Sequence, residues 1–403
     1  MSVDAQAVSA LPRATVVAWR NAVFAVFAIN GVALATWMSR VPAVRDSLGA
    51  TTAEMGWIVF AIAAGSIVGL TSASHLLAWA GSRRTIAGSV IVGAAGLAIV
   101  GLGASAAGHG ALVVLGLALL GGGMGMCDVA MNVEGAAAER ALGRTVMPLF
   151  HAAFSGGTIA GAGLGALAEW GDLSTAAHFG AVAVLSMVAV VLSVRFLHLD
   201  ALGAATASSD EPHLGWRDRL GLWTDRGTLL IGLIVLGMAF AEGSANDWLA
   251  LAMVDGHSVD NSTGAVIYGV FVTAMTVGRI GGVFVLDRFG RVPVLRATTA
   301  LAVAGLLIVI FVPSAAVATV GVVLWGLGAS LGFPVGMSAA ADDSRTATAR
   351  VSVVATIGYF AFLVGPPVLG FLGDAVGLLR ALLLVLALVA LAGLASPAAR
   401  ERS

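Results

Sequence analysis

The stretch 111-ALVVLGLALLGGGMGMC-127 carries no charge, and it runs straight into 128-DVAMNVEGAAAER-140, where Asp128, Asn132, Glu134 and Glu139 follow in close succession. A run of that kind reads as the inside of a membrane-spanning helix, because about 20 apolar residues rising 1.5 Å each cross a hydrocarbon layer ~30 Å thick. Carboxylates at its end need a partner or water, neither of which lipid supplies.

The rest of the chain repeats the pattern. Its 403 residues are 59% hydrophobic and 11% charged, with a mean hydropathy of +0.98, against a charged content of roughly one quarter in soluble domains. Apolar runs of spanning length lie near residues 17–39, 54–79, 85–107, 110–135, 147–170, 176–197, 227–251, 263–286, 293–312, 315–340, 347–372 and 376–397. The fold class expected is therefore an all-α membrane protein with twelve transmembrane helices. Arg13 and Arg20 precede the first run without a small-residue cleavage site, so that span is expected to be retained.

Composition also excludes. A formal net charge of −1 gives no basic surface for nucleic acid. The 21 basic residues are all arginine, so no Walker A or Schiff-base lysine exists, and any active process is expected to draw on a gradient. The seven histidines form no i, i+4 pair, and Ser155 in 151-HAAFSGG-157 lacks a strand-turn-helix setting. No enzyme, metal site or cofactor is expected. The glycine runs 121-GGGMGM-126 and 161-GAGLGA-166 sit in lipid-length helices and read as close helix packing, as does the single cysteine, Cys127.

If the spans alternate, almost every arginine outside them falls on one side, with Arg40, Arg45 and Arg380 opposite. The positive-inside rule then puts both termini in the cytoplasm. An arginine-only, alanine-rich composition suggests a bacterial cell, and so its inner membrane. The longest polar stretch, 198–226, divides the chain into a bundle at 1–197 and another at 227–403. Within it 201-ALGAATASSDEP-212 is linker-like, and 216-WRDRLGLW-223 has the pattern of an interfacial helix. The halves echo each other: 30-NGVALATW-37 is similar to 242-EGSANDW-248, and Gly56 precedes 81-GSRR-84 by nearly the distance separating Gly264 from 287-DRFGR-291. Such repetition is typical of transporters built from two pseudo-symmetric bundles.

This layout, the repeat, and 287-DRFGR-291 between the eighth and ninth spans resemble the major facilitator superfamily over essentially the whole chain. Within it, 36-TWMSRVPAVRDSLG-49, 128-DVAMN-132, 148-PLFHAAFSGG-157 and 242-EGSANDW-248 resemble a poorly characterised bacterial branch related to the fucose–proton symporter. The resemblance implies two six-helix bundles, alternating access, a small polar or hydroxylated solute and protons as partners, and a monomer in the lipid bilayer. It also implies that the fourth and seventh spans line a central cavity. The first-half loop 75-HLLAWAGSRR-84 departs from the family pattern, with Ala78 where an acid is usual. A gating ion pair is thereby weakened there, and Asp287, Arg288 and Arg291 are left to gate the second half.

Intramembrane ionisable groups cost at least ~2.5–3.5 kcal/mol on insertion scales, which makes Asp128, Glu242, Asp247 and Arg279 candidates. Asp128 and Asn132 share a helix face, as do Glu242 and Asn246. Asp128 and Glu242 are the expected proton-coupling carboxylates. The alternative for Asp128 is a hydrogen-bond strut, and for Glu242 a strut or an ion pair with Arg279. Asp247, nearer the outer end, is expected to gate or cap. Asn30, Asn132, Asn246, Tyr268 and Tyr359 are candidate solute contacts, with packing the competing reading for Asn30, Tyr268 and Tyr359. His151 matches the family's 150-FH-151, and a cytoplasmic-side hydrogen bond competes with a site role. Glu134 and Glu139 read as solvated loop or gate contacts. The function expected is proton-coupled symport. A proton-antiporting exporter of amphiphiles would need a more aromatic cavity, and a non-transporting scaffold or sensor would leave the carboxylates dispensable.

Overall fold

The computed structural model describes residues 12–105, 108–143, 146–198, 221–342 and 346–400. The regular elements among them are helices: α1 Arg13–Ser39, α2 Val41–Leu48, α3 Thr52–Ser105, α4 Gly110–Leu142, α5 Met147–Trp170, α6 Thr175–Ser193, α7 Arg226–His257, α8 Asn261–Phe289, α9 Arg291–Phe311, α10 Ala315–Ala329, α11 Gly332–Ala340, α12 Ala347–Val376 and α13 Leu378–Ala395. The 54-residue α3 is two spans meeting at Gly81, whose backbone is non-helical. Together α10 and α11 make one broken span, so twelve crossings result.

Local chemistry sets several helix starts. The Asp225 carboxylate accepts from the Thr228 backbone N–H at 2.7 Å at the start of α7, and Asp260 accepts from Thr263 N–H at 2.7 Å at the start of α8. The Ser262 hydroxyl, and then the Thr263 N–H, hold the Asp260 carboxyl below the usual carboxylate range. The broken span follows from Pro334. A carbonyl four residues before a proline has no N–H to receive, and Ser330 is that residue.

Contacts divide the chain into two compact units, one spanning Met1–Ala50 and Ile58–Ser209, the other Thr51–Trp57 and Asp210–Ser403. The expected linker, 198–226, lies mostly outside the described residues, as does most of its interfacial helix. In the first unit the glycines of α4 work as spacers. A Cβ on Gly121 or Gly125 would strike the carbonyls of Ile62 and Ser66 on the first arm of α3, and one on Gly123 would strike Ser89 on the second arm. The glycine run is thus a seam between helices, drawn together further by the Ser66 hydroxyl on the Gly121 carbonyl at 3.1 Å. Gly31 on α1 and Gly157 on α5 make the same kind of seam between those helices.

Glu134 corrects the expectation of a solvated charge, because it is fully buried. Its carboxylate accepts from the Trp19 indole N–H at 2.7 Å, from the His198 backbone N–H at 3.0 Å and from the Ser82 hydroxyl. One side chain therefore ties α1, the turn at Gly81 and the chain just after α6 to α4. Glu139, by contrast, holds the start of α5, accepting from the N–H groups of Val146 at 2.6 Å and Met147 at 2.7 Å.

Gly81 (φ 79°, ψ 169°) and Gly290 (φ 74°, ψ 172°) adopt the same conformation at the corresponding turns of the two halves. A side chain there costs of order 1–3 kcal/mol, so Gly81→Ala and Gly290→Ala should each lower the thermal midpoint of the detergent-purified protein; wild-type midpoints would refute the strain argument. Glu134→Ala strands an indole N–H and a hydroxyl, at about 1–3 kcal/mol for each buried group. It should cost more thermal stability than Glu134→Gln, which keeps an acceptor, and equal losses in a melting experiment would show that the acceptor is not what matters.

Candidate functional site

Asp128 sits past the middle of α4, one residue beyond the fully buried Cys127, on the accessible side of the helix. Its backbone carbonyl and its Oδ1 accept from the Asn132 amide at 2.8 and 3.2 Å. It also interacts electrostatically with His151 of α5, whose ring meets Phe27 of α1 edge to face at a centroid distance of 5.2 Å. Asp128, Asn132 and His151 thus form one polar group across α4 and α5. The sequence pairs the first two by spacing alone; His151 joins them only through helix packing.

Asn30 lies elsewhere. It is buried, and its amide donates to the Val26 carbonyl at 2.9 Å and to Cys127 Sγ at 3.2 Å, which binds α1 to α4. Of its two competing readings, this geometry describes packing.

In the second unit, Glu242 on α7 accepts from Arg279 Nη2 of α8 at 2.9 and 3.0 Å through its two oxygens. Arg279 Nε reaches the Ser330 carbonyl at 3.4 Å, the acceptor that Pro334 leaves without its helical donor. Sequence reasoning reads 315–340 as one uninterrupted span, although Pro334 was the available signal for the break. The guanidinium is therefore held between a carboxylate and a broken-helix carbonyl. Asn246, one turn beyond Glu242, accepts from the Tyr268 hydroxyl at 3.4 Å, and Tyr268 is almost completely buried.

Asp247 is also buried, 8% exposed, and makes no hydrogen bond or ion pair among the described residues. Its electrostatic neighbour is Tyr268. Tyr359 of α12 is exposed. In the last turn of α8, Asp287 and Arg288 are exposed and Arg288 lies over the Phe289 ring, 5.6 Å from its centroid. Arg291 bonds Asp342 at 2.6 Å and the Ser338 hydroxyl at 3.0 Å, joining the start of α9 to the end of α11.

A feature absent from the sequence reading is a clasp at one end of the first unit. Arg40, buried, pairs with Glu169 at 2.9 Å and donates to the Leu173 carbonyl at 3.0 Å. Nothing in the sequence spacing links residues so far apart. No group of three or more metal-ligating side chains occurs among the described residues.

Comparison with known proteins gives the lineage. The Major Facilitator Superfamily profile matches residues 22–366. An uncharacterized MFS-type transporter of Yersinia pestis is 31% identical over 351 residues, covering 86% of this chain and 87% of that protein. Membrane protein MosC of Rhizobium meliloti is 28% identical, covering 92% and 87%. Among solved structures, the nucleoside transporter NupG superposes with a TM-score of 0.73 at 14% identity, covering 96% of this chain and 98% of that one. FucP in the outward conformation gives 0.62 at 19% identity, covering 95% and 99%. With twelve helical crossings and a profile match over most of its length, the chain is a multi-pass membrane transporter that belongs to the major facilitator superfamily.

Proposed function

We propose that this transporter couples a small polar or hydroxylated solute to protons moving in the same direction, by alternating access. The observation that carries the reading is the group at Asp128. A carboxylate that follows directly on the uncharged run 111–127 of α4 is accessible, held by Asn132, and electrostatically coupled to the imidazole of His151. A carboxylate and an imidazole in range of each other can hold and pass a proton without a cofactor. Glu242 fits that task less well, since its two oxygens are already occupied by Arg279. Asn132 in the first unit, and separately Asn246 with the Tyr268 hydroxyl in the second, offer each unit's own donors and acceptors to a hydroxylated solute. Among the proteins of like fold, one is a fucose:proton symporter and another a nucleoside transporter, both in keeping with such a solute.

Asp287, Arg288 and Arg291 are assigned to gating on the cytoplasmic side, with Arg291 already engaged to Asp342. The 198–226 segment is assigned as a cytoplasmic linker between bundles 1–197 and 227–403 of a monomer in a bacterial inner membrane.

Two measurements test the reading. A reporter fused at residue 205 or at the C-terminus should behave as cytoplasmic, and one fused near residue 258 as external; a cytoplasmic signal from 258 would overturn the orientation. For coupling, a thermal-shift screen of the purified protein against sugars and nucleosides first finds the solute. Uptake into vesicles under a pH gradient of one unit should then reach at most about tenfold accumulation for one proton per solute. Asp128→Asn should bring that ratio to about one while exchange between equal pools persists. Gradient-driven accumulation by Asp128→Asn at the wild-type level would sink the assignment.

A further inference from the structure

Asp247 is the one residue of the polar group on α7 and α8 whose charge nothing answers. Glu242, five residues earlier, has Arg279. Asn246 has Tyr268. Asp247 is more than nine-tenths buried, without a hydrogen bond or ion pair among the described residues. Its neighbours do not change this. On its own helix the other ionisable groups are Arg226 in the first turn, Glu242, Asp255 and His257; on α8 they are Tyr268, Arg279, which is committed to Glu242 and Ser330, and the exposed Asp287 and Arg288 in the last turn. Helices α10 and α11 contain no titratable residue. On α12, Arg350 donates to the Thr228 hydroxyl at the start of α7, Tyr359 is exposed, and Asp374 lies near the far end. Arg380 belongs to the first turn of α13.

A lone carboxylate removed from water is held there at high cost while charged. It must either be neutral or receive a cation that the protein itself does not provide. A hard metal ion demands a cage of about six or more oxygens. The side-chain oxygens of Asn246 and Tyr268, and of Ser244 one turn earlier on α7, are too few for such a cage, and the carbonyls of α7 are engaged in the helix. A proton needs a single oxygen.

We propose that Asp247 is a proton-binding site of the second unit, the carboxylate that is protonated at rest and releases its proton when the surroundings of α7 and α8 become hydrated. This rests on the proton-coupled reading above and replaces Glu242 with Asp247 in it. Glu242 then serves to position Arg279. The Tyr268 hydroxyl and the Asn246 amide are the polar groups that can accept or relay the proton as it leaves.

The test needs no solute. Full-length protein reconstituted in lipid is titrated with pH and followed by infrared difference spectroscopy, which reads the carbonyl stretch of a protonated carboxyl directly. Wild type should lose protonated-carboxyl bands as pH rises, one of them the band that belongs to Asp247. Asp247→Asn should lack that band at every pH, Asp247→Glu should move it, and Glu242→Gln should retain it. The band should be the same in sodium and potassium buffers. An unchanged spectrum in Asp247→Asn, or a band lost in Glu242→Gln instead, would overturn the proposal. If Asp247→Asn does not fold, an unshifted band in Asp247→Glu overturns it equally. A band abolished by sodium at fixed pH would replace the proton with a metal cation and overturn it too. Vesicle uptake separates this from the wider reading. A titrating Asp247 in a protein whose flux ignores the pH gradient supports the assignment while refuting symport, and gradient-driven flux with no Asp247 band refutes the assignment alone.

Discussion

A hydrocarbon layer offers no water to a backbone carbonyl, an indole N–H or a carboxylate, so each such group is costly unless it finds a partner within the protein. Much of the structure follows from that constraint. Helices satisfy their own backbones, and the remaining question is how closely they can approach and what becomes of the few polar side chains. On α4 the glycines answer the first part, since their missing side chains let the carbonyls of both arms of α3 lie against its backbone. Glu134 answers the second. It gathers an indole, a hydroxyl and a backbone N–H from three separate parts of the first unit around a single carboxylate. Removing a partner from such a node is costlier than never having built it.

The two units meet the same constraint differently. In the first, the carboxylate at the candidate site remains accessible, and its partners are an amide on its own helix and an imidazole on the next. In the second, one carboxylate is locked by an arginine whose Nε–H in turn donates to the carbonyl that a break in another helix sets free. The break at Pro334 and the ion pair are therefore one device: without the broken helix Arg279 would lose the Ser330 carbonyl, and without Arg279 that carbonyl would lose its donor. The fold repeats between halves, as the matching backbone at Gly81 and Gly290 shows, but the polar chemistry does not.

What was readable from sequence divides along the same line. Spans are legible because hydropathy is local and a helix needs about 20 apolar residues. The turns at Gly81 and Gly290 are legible because glycine and arginine cluster there. The face shared by Asp128 and Asn132 follows from a spacing of four. Partners from distant segments are not legible. Glu134 looks like an ordinary helix-end charge until Trp19 and His198 are brought to it. The ion pair of Glu242 with Arg279 is only one of the readings its sequence position allows until packing brings the two together, and His151 looks peripheral until α5 turns it toward Asp128. Asn30 stands as the converse case, a polar residue in a suggestive place whose amide is consumed by a helix–helix contact.

That contact has a practical side. Cys127 is the chain's single thiol, fully buried and touched by the Asn30 amide where α1 lies on α4. While the seam is closed, a thiol reagent has no path to the sulfur, so the natural protein is already a silent background for cysteine labelling. Slow modification of Cys127 would then time the rate at which α1 and α4 part, making the seam its own clock.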